Sequence, residues 1–371
     1  MMIGGLCASI QSELDALFAR FKGSIGRMRC VSAQAFSKAR QGFSATLFRD
    51  ANDRLLKAAQ DLFARHAWNG LRPIAADGSR LIVSTRAGRA LKAEHFAFAL
   101  YVPGAELTLH ASLHPADGCE RQMLFEALDL LQPGRDLLVL DRGYPAVWLA
   151  ALLVQRGIDF CMRIDGTNWG VVKRFLRSGK NEAVVTLPQP PADKCRLYEV
   201  QRRPTQARLI RQTTPNGKVH VLLTSLLDTR RFPLRDFGDL YHRRWRIEEA
   251  FKRLKHRLNL EAVTGLNYLA LQQDFHAKVL ADNLCSLLAT EHLPDDGTDE
   301  PPRVHNRAYA IGALGAILAG CLLGNPHCRA ALPEVLHAIS RTRRRVTPGR
   351  SYPRTFRHKP HRHACYRPVR A

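Results

Sequence analysis

Apolar residues recur at helical spacing through the first seventy positions, with Leu14, Leu17, Phe18 and Phe21 on one face. Ser32 is placed to cap a second helix through Phe36 and Arg40, and Ser44 a third through Leu47 and Phe48. These short helices carry Lys38, Arg40 and Arg49. They read either as a helix-turn-helix-like DNA reader or as a helical cap on the domain that follows. From about residue 71 the period changes to that of strands. Segments 74–83, 95–101 and 106–113 predict three of them, the last two joined at Pro103-Gly104, a turn signal. A helix over 119–131 follows. Leu137-Leu138-Val139-Leu140 is a continuous apolar run, the pattern of a central strand covered on both faces. A helix over 146–155 and a strand over 158–164 close this stretch.

Three strands, helix, strand, helix, strand is the order of an α/β, ribonuclease-H-like mixed sheet. The rhythm then breaks. Short strand-like pieces at 183–187, 197–200, 209–212 and 218–225 predict a β-rich insertion, with Pro215-Asn216-Gly217 as a hairpin signal. Long helices are expected over 234–258 and 269–288. Prolines and acids from 292 to 304 read as a linker. The expected organisation is thus a helical, DNA-binding or capping region over 1–70 and a catalytic core made of 71–165 and 233–291. The insertion occupies 166–232, and a linker, helical region and basic tail occupy 292–371. Ala308 to Gly324 is uncharged but short of the roughly 20 residues a membrane span needs and rich in Gly and Ala, so it reads as a buried helix.

Charge changes this picture more than composition does. The chain of 371 residues holds 56 Lys plus Arg against 33 Asp plus Glu, a net charge of +23. Such a surplus draws polyanions, nucleic acid first, and by itself names a partner class and no activity. Eleven of the cations crowd into residues 341–371 without an acid, a tail suited to DNA phosphates or simply to solvent. His358, His361, His363 and Cys365 lie in that tail and read as part of it, with metal binding the alternative. Nine scattered cysteines, with no Cys-x-x-Cys pair, argue against a disulfide scaffold or zinc ribbon and suit a reducing cytoplasm. Glu13 and Asp15 interrupt the N-terminus, so no signal peptide is expected, nor any membrane partner. No Gly-x4-Gly-Lys-Ser/Thr motif supports an ATPase.

The chemistry concentrates in Tyr241-His-Arg-Arg244-Trp-Arg-Ile-Glu248-Glu-Ala-Phe-Lys-Arg-Leu-Lys255. On one continuous helix, at about 100° per residue, Tyr241, Arg244, Glu248 and Lys255 share an arc of roughly 60° along a face about 21 Å long. A carboxylate among two cations and a phenol suits a metal ion beside gripped phosphates. Taken alone, the segment reads rather as a surface helix with intrahelical pairs such as Glu248 to Lys252. Two further acids alter the balance. Asp77 lies in the strand-like Ala-Ala-Asp-Gly-Ser, and Asp141 ends the apolar strand in Leu-Asp-Arg-Gly-Tyr. Three hard oxygen ligands brought together would hold magnesium or manganese.

Tyr241-x2-Arg244-x3-Glu248-x6-Lys255 matches the Y-R-E-K signature of insertion-sequence 4 family transposases. The Asp-Gly-Ser at 77 and the Asp-Arg-Gly-Tyr at 141 resemble that family's first and second acidic motifs, over a resemblance spanning about 31–290. What the resemblance implies is a DDE transposase that cleaves transposon ends and transfers strands into target DNA. Asp77, Asp141 and Glu248 would be the catalytic metal ligands, and Tyr241, Arg244 and Lys255 the DNA contacts, around a flipped base. Related enzymes stack an aromatic from the insertion on that base; Trp169 is a candidate, with packing its other role. The implied cofactor is Mg2+, with Mn2+ as a substitute. The partners would be double-stranded transposon ends and target DNA, bound by a homodimer in the cytoplasm at the nucleoid. The rivals are a ribonuclease-H-like nuclease without strand transfer and a catalytically inactive or domesticated DNA-binding protein.

Overall fold

The structure, a computed structural model, describes residues 2–3, 9–24, 26–83, 93–165, 169–214, 217–265, 267–291 and 303–345. The chain divides into two compact units, one of residues 1–57, 80–95 and 251–371 and one of 58–79 and 96–250.

The first unit opens with helices α1 (Ile10–Phe21), α2 (Ala33–Ala39) and α3 (Leu47–Ala58), where the apolar periodicity predicts them. Ser32 caps α2, its Oγ accepting from the Ala35 amide at 3.0 Å. Ser44 stands just ahead of α3, accepting from the Thr46 amide at 3.0 Å. Arg40 is not available to DNA. It is buried, donating from Nε to Gln273 at 3.0 Å and from Nη2 to the Ala270 carbonyl at 2.9 Å, beside Asp274 at 3.4 Å.

The second unit begins with α4 (Gln60–Arg65) and holds most of a sheet whose strands are β1 (Arg72–Val83), β2 (Ala93–Val102), β3 (Leu107–Pro115), β4 (Asp136–Leu140), β5 (Asp159–Ile164), β6 (Glu182–Leu187), β7 (Thr205–Thr213) and β8 (Val219–Thr224), residues 80–83 and 93–95 being counted with the first unit. Their order is β3-β2-β1-β4-β5-β8-β7-β6. β4 runs parallel to β1 and β5, whereas β8 is antiparallel to β5 and to β7. This is the ribonuclease-H-like mixed sheet the element order predicts. Every residue of β4 is buried, as its apolar run requires. Between the strands lie α5 (Glu120–Ala127), α6 (Val147–Gln155), α7 (Gly170–Arg177) and α8 (Ala192–Tyr198). α6 buries Trp148 to Leu153 without a polar face, so it serves as a core helix. On one sheet face Leu137 and Val139 of β4, Cys161 of β5, Ile210 of β7 and Leu222 of β8 pack with Phe237 and Leu240.

The stretch 166–232 is β-rich as expected: it supplies β6, β7 and β8, which extend the main sheet through β5 and are interleaved with α7 and α8. Two finer expectations are corrected. The piece at 197–200 is the end of α8, where Tyr198 stacks on Trp148 with ring centroids 3.9 Å apart and Glu199 turns left-handed at φ 54°. An aromatic anchor, not a strand ladder, uses its apolar residues. The Pro-Asn-Gly turn does join an antiparallel pair, with Gly217 at φ +74°, although residues 215–216 lie outside those described.

The helix expected over 234–258 is also broken. A single 3-10 turn (Leu234–Asp236) leads into α9 (Phe237–Arg243), and α10 (Arg246–His256) follows after Arg244 and Trp245. Across the break the amides of Arg244, Trp245, Ile247 and Glu248 each bond to the carbonyl three residues back, a locally tightened winding. The shared 60° arc of one continuous helix therefore does not form.

The first unit resumes with α10's second half and α11 (Tyr268–Glu291), then β9 (Arg303–His305), α12 (Arg307–Leu322), α13 (Pro326–Arg341) and β10 (Arg343–Arg345), which pairs antiparallel with β9. The helix expected to be buried, α12, is only partly so: Ala310, Ile311, Leu314, Leu318 and Gly320 are buried, whereas Tyr309, Gly312, Ala316 and Leu322 are exposed. On its buried side a Cβ at Gly320 would meet Cys328 Sγ of α13, so only glycine allows that approach. Among the described residues no helix is long and apolar enough to cross a membrane. The linker at 292–302 and the tail beyond 345, with its three histidines and Cys365, lie outside the described residues.

Candidate active site

The site begins with a register. Arg72 opens β1 and pairs with Asp136, which opens β4; the guanidinium donates twice to the carboxylate, at 2.7 and 2.8 Å, both groups buried. From there the parallel ladder runs to Ala75 opposite Val139. Carried two residues further, past the last paired residues, the same register places Asp141, just beyond β4, opposite Asp77 of β1. Asp77 stays within β1, and its Oδ1 accepts from the Gly78 amide at 2.9 Å. Asp141 follows the last residue of β4 and folds over its own turn, Oδ1 accepting from the Gly143 amide at 2.7 Å.

Glu248, in the first turn of α10, is brought to this pair by Arg244. The Arg244 guanidinium, almost fully buried, donates from Nη2 to Glu248 Oε1 at 2.9 Å and lies with Nη1 3.8 Å from Asp77 Oδ2. It also sits over the rings of Tyr241 and Trp245, with centroid distances of 6.0 and 5.4 Å. Burial opposes its charge, yet Tyr241, Asp77 and Glu248 outweigh that and its pKa is raised. Burial pushes the Tyr241 phenol up to about 12. Among the predicted residues, Asp77, Asp141, Glu248, Tyr241 and Arg244 thus interact electrostatically within one unit. Lys255 belongs to the other unit, where its Nζ donates to the Arg80 carbonyl. Trp169 is half-buried at the N-terminus of α7.

Burial raises the Asp77 carboxyl to about 6; Arg244 and the Gly78 amide pull against this, while Asp141 and Glu248 add to it. Glu120, which no sequence motif marks, is raised to about 7 by burial and then by Asp77 and Asp141. Its signal is faint: a glutamate at the start of a helix is ordinarily explained by the helix dipole. Tyr144 is fully buried, and its hydroxyl has no hydrogen-bond partner among the described residues.

Among the described residues, no three His, Cys, Asp or Glu side chains already surround one point as a metal cage would. Arg244 occupies the approach between Asp77 and Glu248 instead. The donor chemistry nevertheless fits a hard divalent cation, since carboxylate oxygens are its preferred ligands.

A mixed sheet with opposed aspartates at neighbouring strands and a helix-borne glutamate drawn to them defines an acid-site α/β protein of ribonuclease-H-like architecture. A family model described as the transposase DDE domain matches residues 94–284, more than half of the chain, and the chain belongs to that family. The match includes Asp141, Tyr241, Arg244, Glu248 and Lys255 and begins after Asp77. The InsG transposase of insertion sequence IS4 from Escherichia coli strain K12 is 29% identical over 184 residues, covering 48% of this chain and 41% of that one. The transposase of IS421 from Escherichia coli is 31% identical over 121 residues, 32% of this chain and 31% of that one. The matched stretches therefore span less than half the length of these relatives. A solved piggyBac transposase synaptic complex with hairpin DNA aligns over 92% of this chain and 77% of that one, at 10% identity and a TM-score of 0.42, a likeness too remote to carry weight.

Proposed function

We propose that this chain is a DNA transposase that uses Asp77, Asp141 and Glu248 to cleave transposon ends and join them to target DNA. The observation that carries the reading is that Arg244 pairs with Glu248 and lies beside Asp77, which in turn feels the charges of Asp141 and Glu248, in a member of the transposase DDE domain family. The acids would hold Mg2+, with Mn2+ as a substitute, which when bound supplies activation of a water nucleophile and stabilisation of the attacking and leaving oxygens. Everything else falls to the chain's own groups. Arg244 is charged at any accessible pH, and its buried Nε has no partner among the described residues. It is suited to exchange its carboxylate contacts for a phosphate of the bound strand. Tyr241 lies on the same side of Arg244 and would line the path of that strand. Lys255 would grip a flanking phosphate.

The chemistry balances without an energy source. Hydrolysis forms a bond from the water oxygen to phosphorus and breaks the bond to the 3′ oxygen, which leaves as a hydroxyl. That hydroxyl then attacks a target phosphodiester, so one ester bond forms as another breaks. Handling two ends calls for a homodimer on DNA, and a DNA substrate places the protein at the nucleoid. The test is nicking and joining of end-bearing duplex DNA with Mg2+, wild type against Asp141→Asn. Loss of both steps in the variant is expected. Equal activity would remove the acid assignment, and nicking without joining by the wild type would make the protein a nuclease.

A further inference from the structure

Glu120 is the first residue of α5, and the charge it places at a helix N-terminus would account for its identity but not for its position. Its two carboxylate oxygens reach toward two different glycines. A Cβ at Gly78 would lie 2.8 Å from Glu120 Oε1, and one at Gly143 would lie 3.6 Å from Oε2 and 3.1 Å from Asp141 Oδ1. Gly78 follows Asp77 directly, and Gly143 carries the amide that holds Asp141. The Glu120 carboxylate therefore sits between the two aspartate turns, in room that side chains at 78 and 143 would take away. A glycine is needed at 78 in any case, since a Cβ there would also come within 2.0 Å of the Phe96 ring.

A second group belongs to the same neighbourhood. The Tyr144 hydroxyl is fully buried, has no hydrogen-bond partner among the described residues, and feels the charges of Glu120, Asp77 and Asp141. A buried hydroxyl without a partner is destabilising, and that cost is recovered if a ligand or its water hydrogen-bonds to it. The charge balance points the same way. Asp77, Glu120, Asp141 and Glu248 gather near the buried cation of Arg244, and that cation is engaged by Asp77 and Glu248. Glu120 and Asp141 have no ion pair among the described residues.

We propose that Glu120 is a fourth carboxylate of this site, holding a hard divalent cation together with Asp77 and Asp141, with the Tyr144 hydroxyl facing the cation's water. The inference rests on the reading that Asp77 and Asp141 hold the cation.

The test is Mn2+ binding to the full chain by calorimetry, with melting temperatures measured in the presence and absence of Mn2+, for wild type, Glu120→Gln and Asp141→Asn. Glu120→Gln is expected to weaken Mn2+ binding by about tenfold or more, to shrink the Mn2+-induced rise in melting temperature, and to leave the metal-free melting temperature no lower than wild type. A smaller loss of affinity in Glu120→Gln, with Asp141→Asn strongly impaired, overturns the role of Glu120 and leaves the three-acid reading standing. Failure of the wild type to bind Mn2+ overturns both. If Glu120→Gln does not fold, Glu120→Asp decides the matter. It keeps the helix charge but withdraws the carboxylate by one methylene, and undiminished affinity there overturns the proposal.

Discussion

At the residue scale, the acids work against the fold that carries them. Asp77 has a folded-state pKa of about 6 against an ordinary 3.8, so the folded chain binds its proton more tightly than the unfolded chain does. Stability from this group is complete below about pH 4 and is lost as pH rises toward 6. Glu120, raised from 4.5 to about 7, extends the loss toward neutrality. A shift of about two units corresponds to roughly 3 kcal/mol at most for Asp77. Asp77→Asn is therefore expected to raise stability at pH 8 in the presence of a chelator and to flatten the decline between pH 4 and 6, read by urea unfolding at both ends. An unchanged pH profile would mean that Asp77 is not held in an unfavourable setting. The same reasoning shows why Glu120 could not be read from sequence. Its motif is a single helix-initial glutamate, and its burial depends on glycines at 78 and 143 that lie far from it along the chain.

At the element scale, the site is positioned by the pairing of β1 with β4, and one ion pair anchors that pairing. Arg72 and Asp136 are buried opposite partners, and Asp136 also accepts the Gln132 amide at 2.8 Å. Removing one partner leaves an uncompensated buried charge. Arg72→Ala is expected to cost about 3–5 kcal/mol, measured by chemical denaturation; a loss below about 1 kcal/mol would mean the register is held by apolar contacts alone. Much at this scale was legible. The apolar run at 137–140 announced a central strand, and the alternation around it gave β1, β2, β3 and β5 with their order. The break between α9 and α10 was not legible, because Arg244-Trp245 contains no proline or glycine and continues the helical period. It arises where Arg244 turns inward to two acids and two aromatic rings, a tertiary demand that local propensity does not register. The end of α8 resembles a strand for a related reason: Leu197, Tyr198 and Val200, apolar or β-favouring residues close together, look like a short one, while the use of Tyr198 depends on Trp148 in another helix.

At the scale of the whole molecule, the net charge of +23 is the property most directly tied to a polyanionic partner. It was plain in the composition, whereas which cations meet DNA was not: Arg40, on a short basic helix, is consumed by Gln273 and Asp274 within its own unit. Seven of the cations lie beyond residue 345. DNA affinity is expected to fall steeply with salt, and deleting residues 346–371 is expected to reduce the slope of log affinity against log salt by up to about 6. Fluorescence anisotropy across a salt series measures this, and an unchanged slope would show the tail to be a spectator.

The proposed chemistry requires that Asp77, Asp141 and Glu248 close on a divalent cation as Arg244 gives up Glu248. Anomalous diffraction from crystals of the chain grown with Mn2+ and a DNA end would show whether they do. A manganese peak bounded by these carboxylates, with Arg244 on a phosphate, is expected. A peak elsewhere, or Arg244 still bound to Glu248 with no peak between the acids, would overturn the assignment.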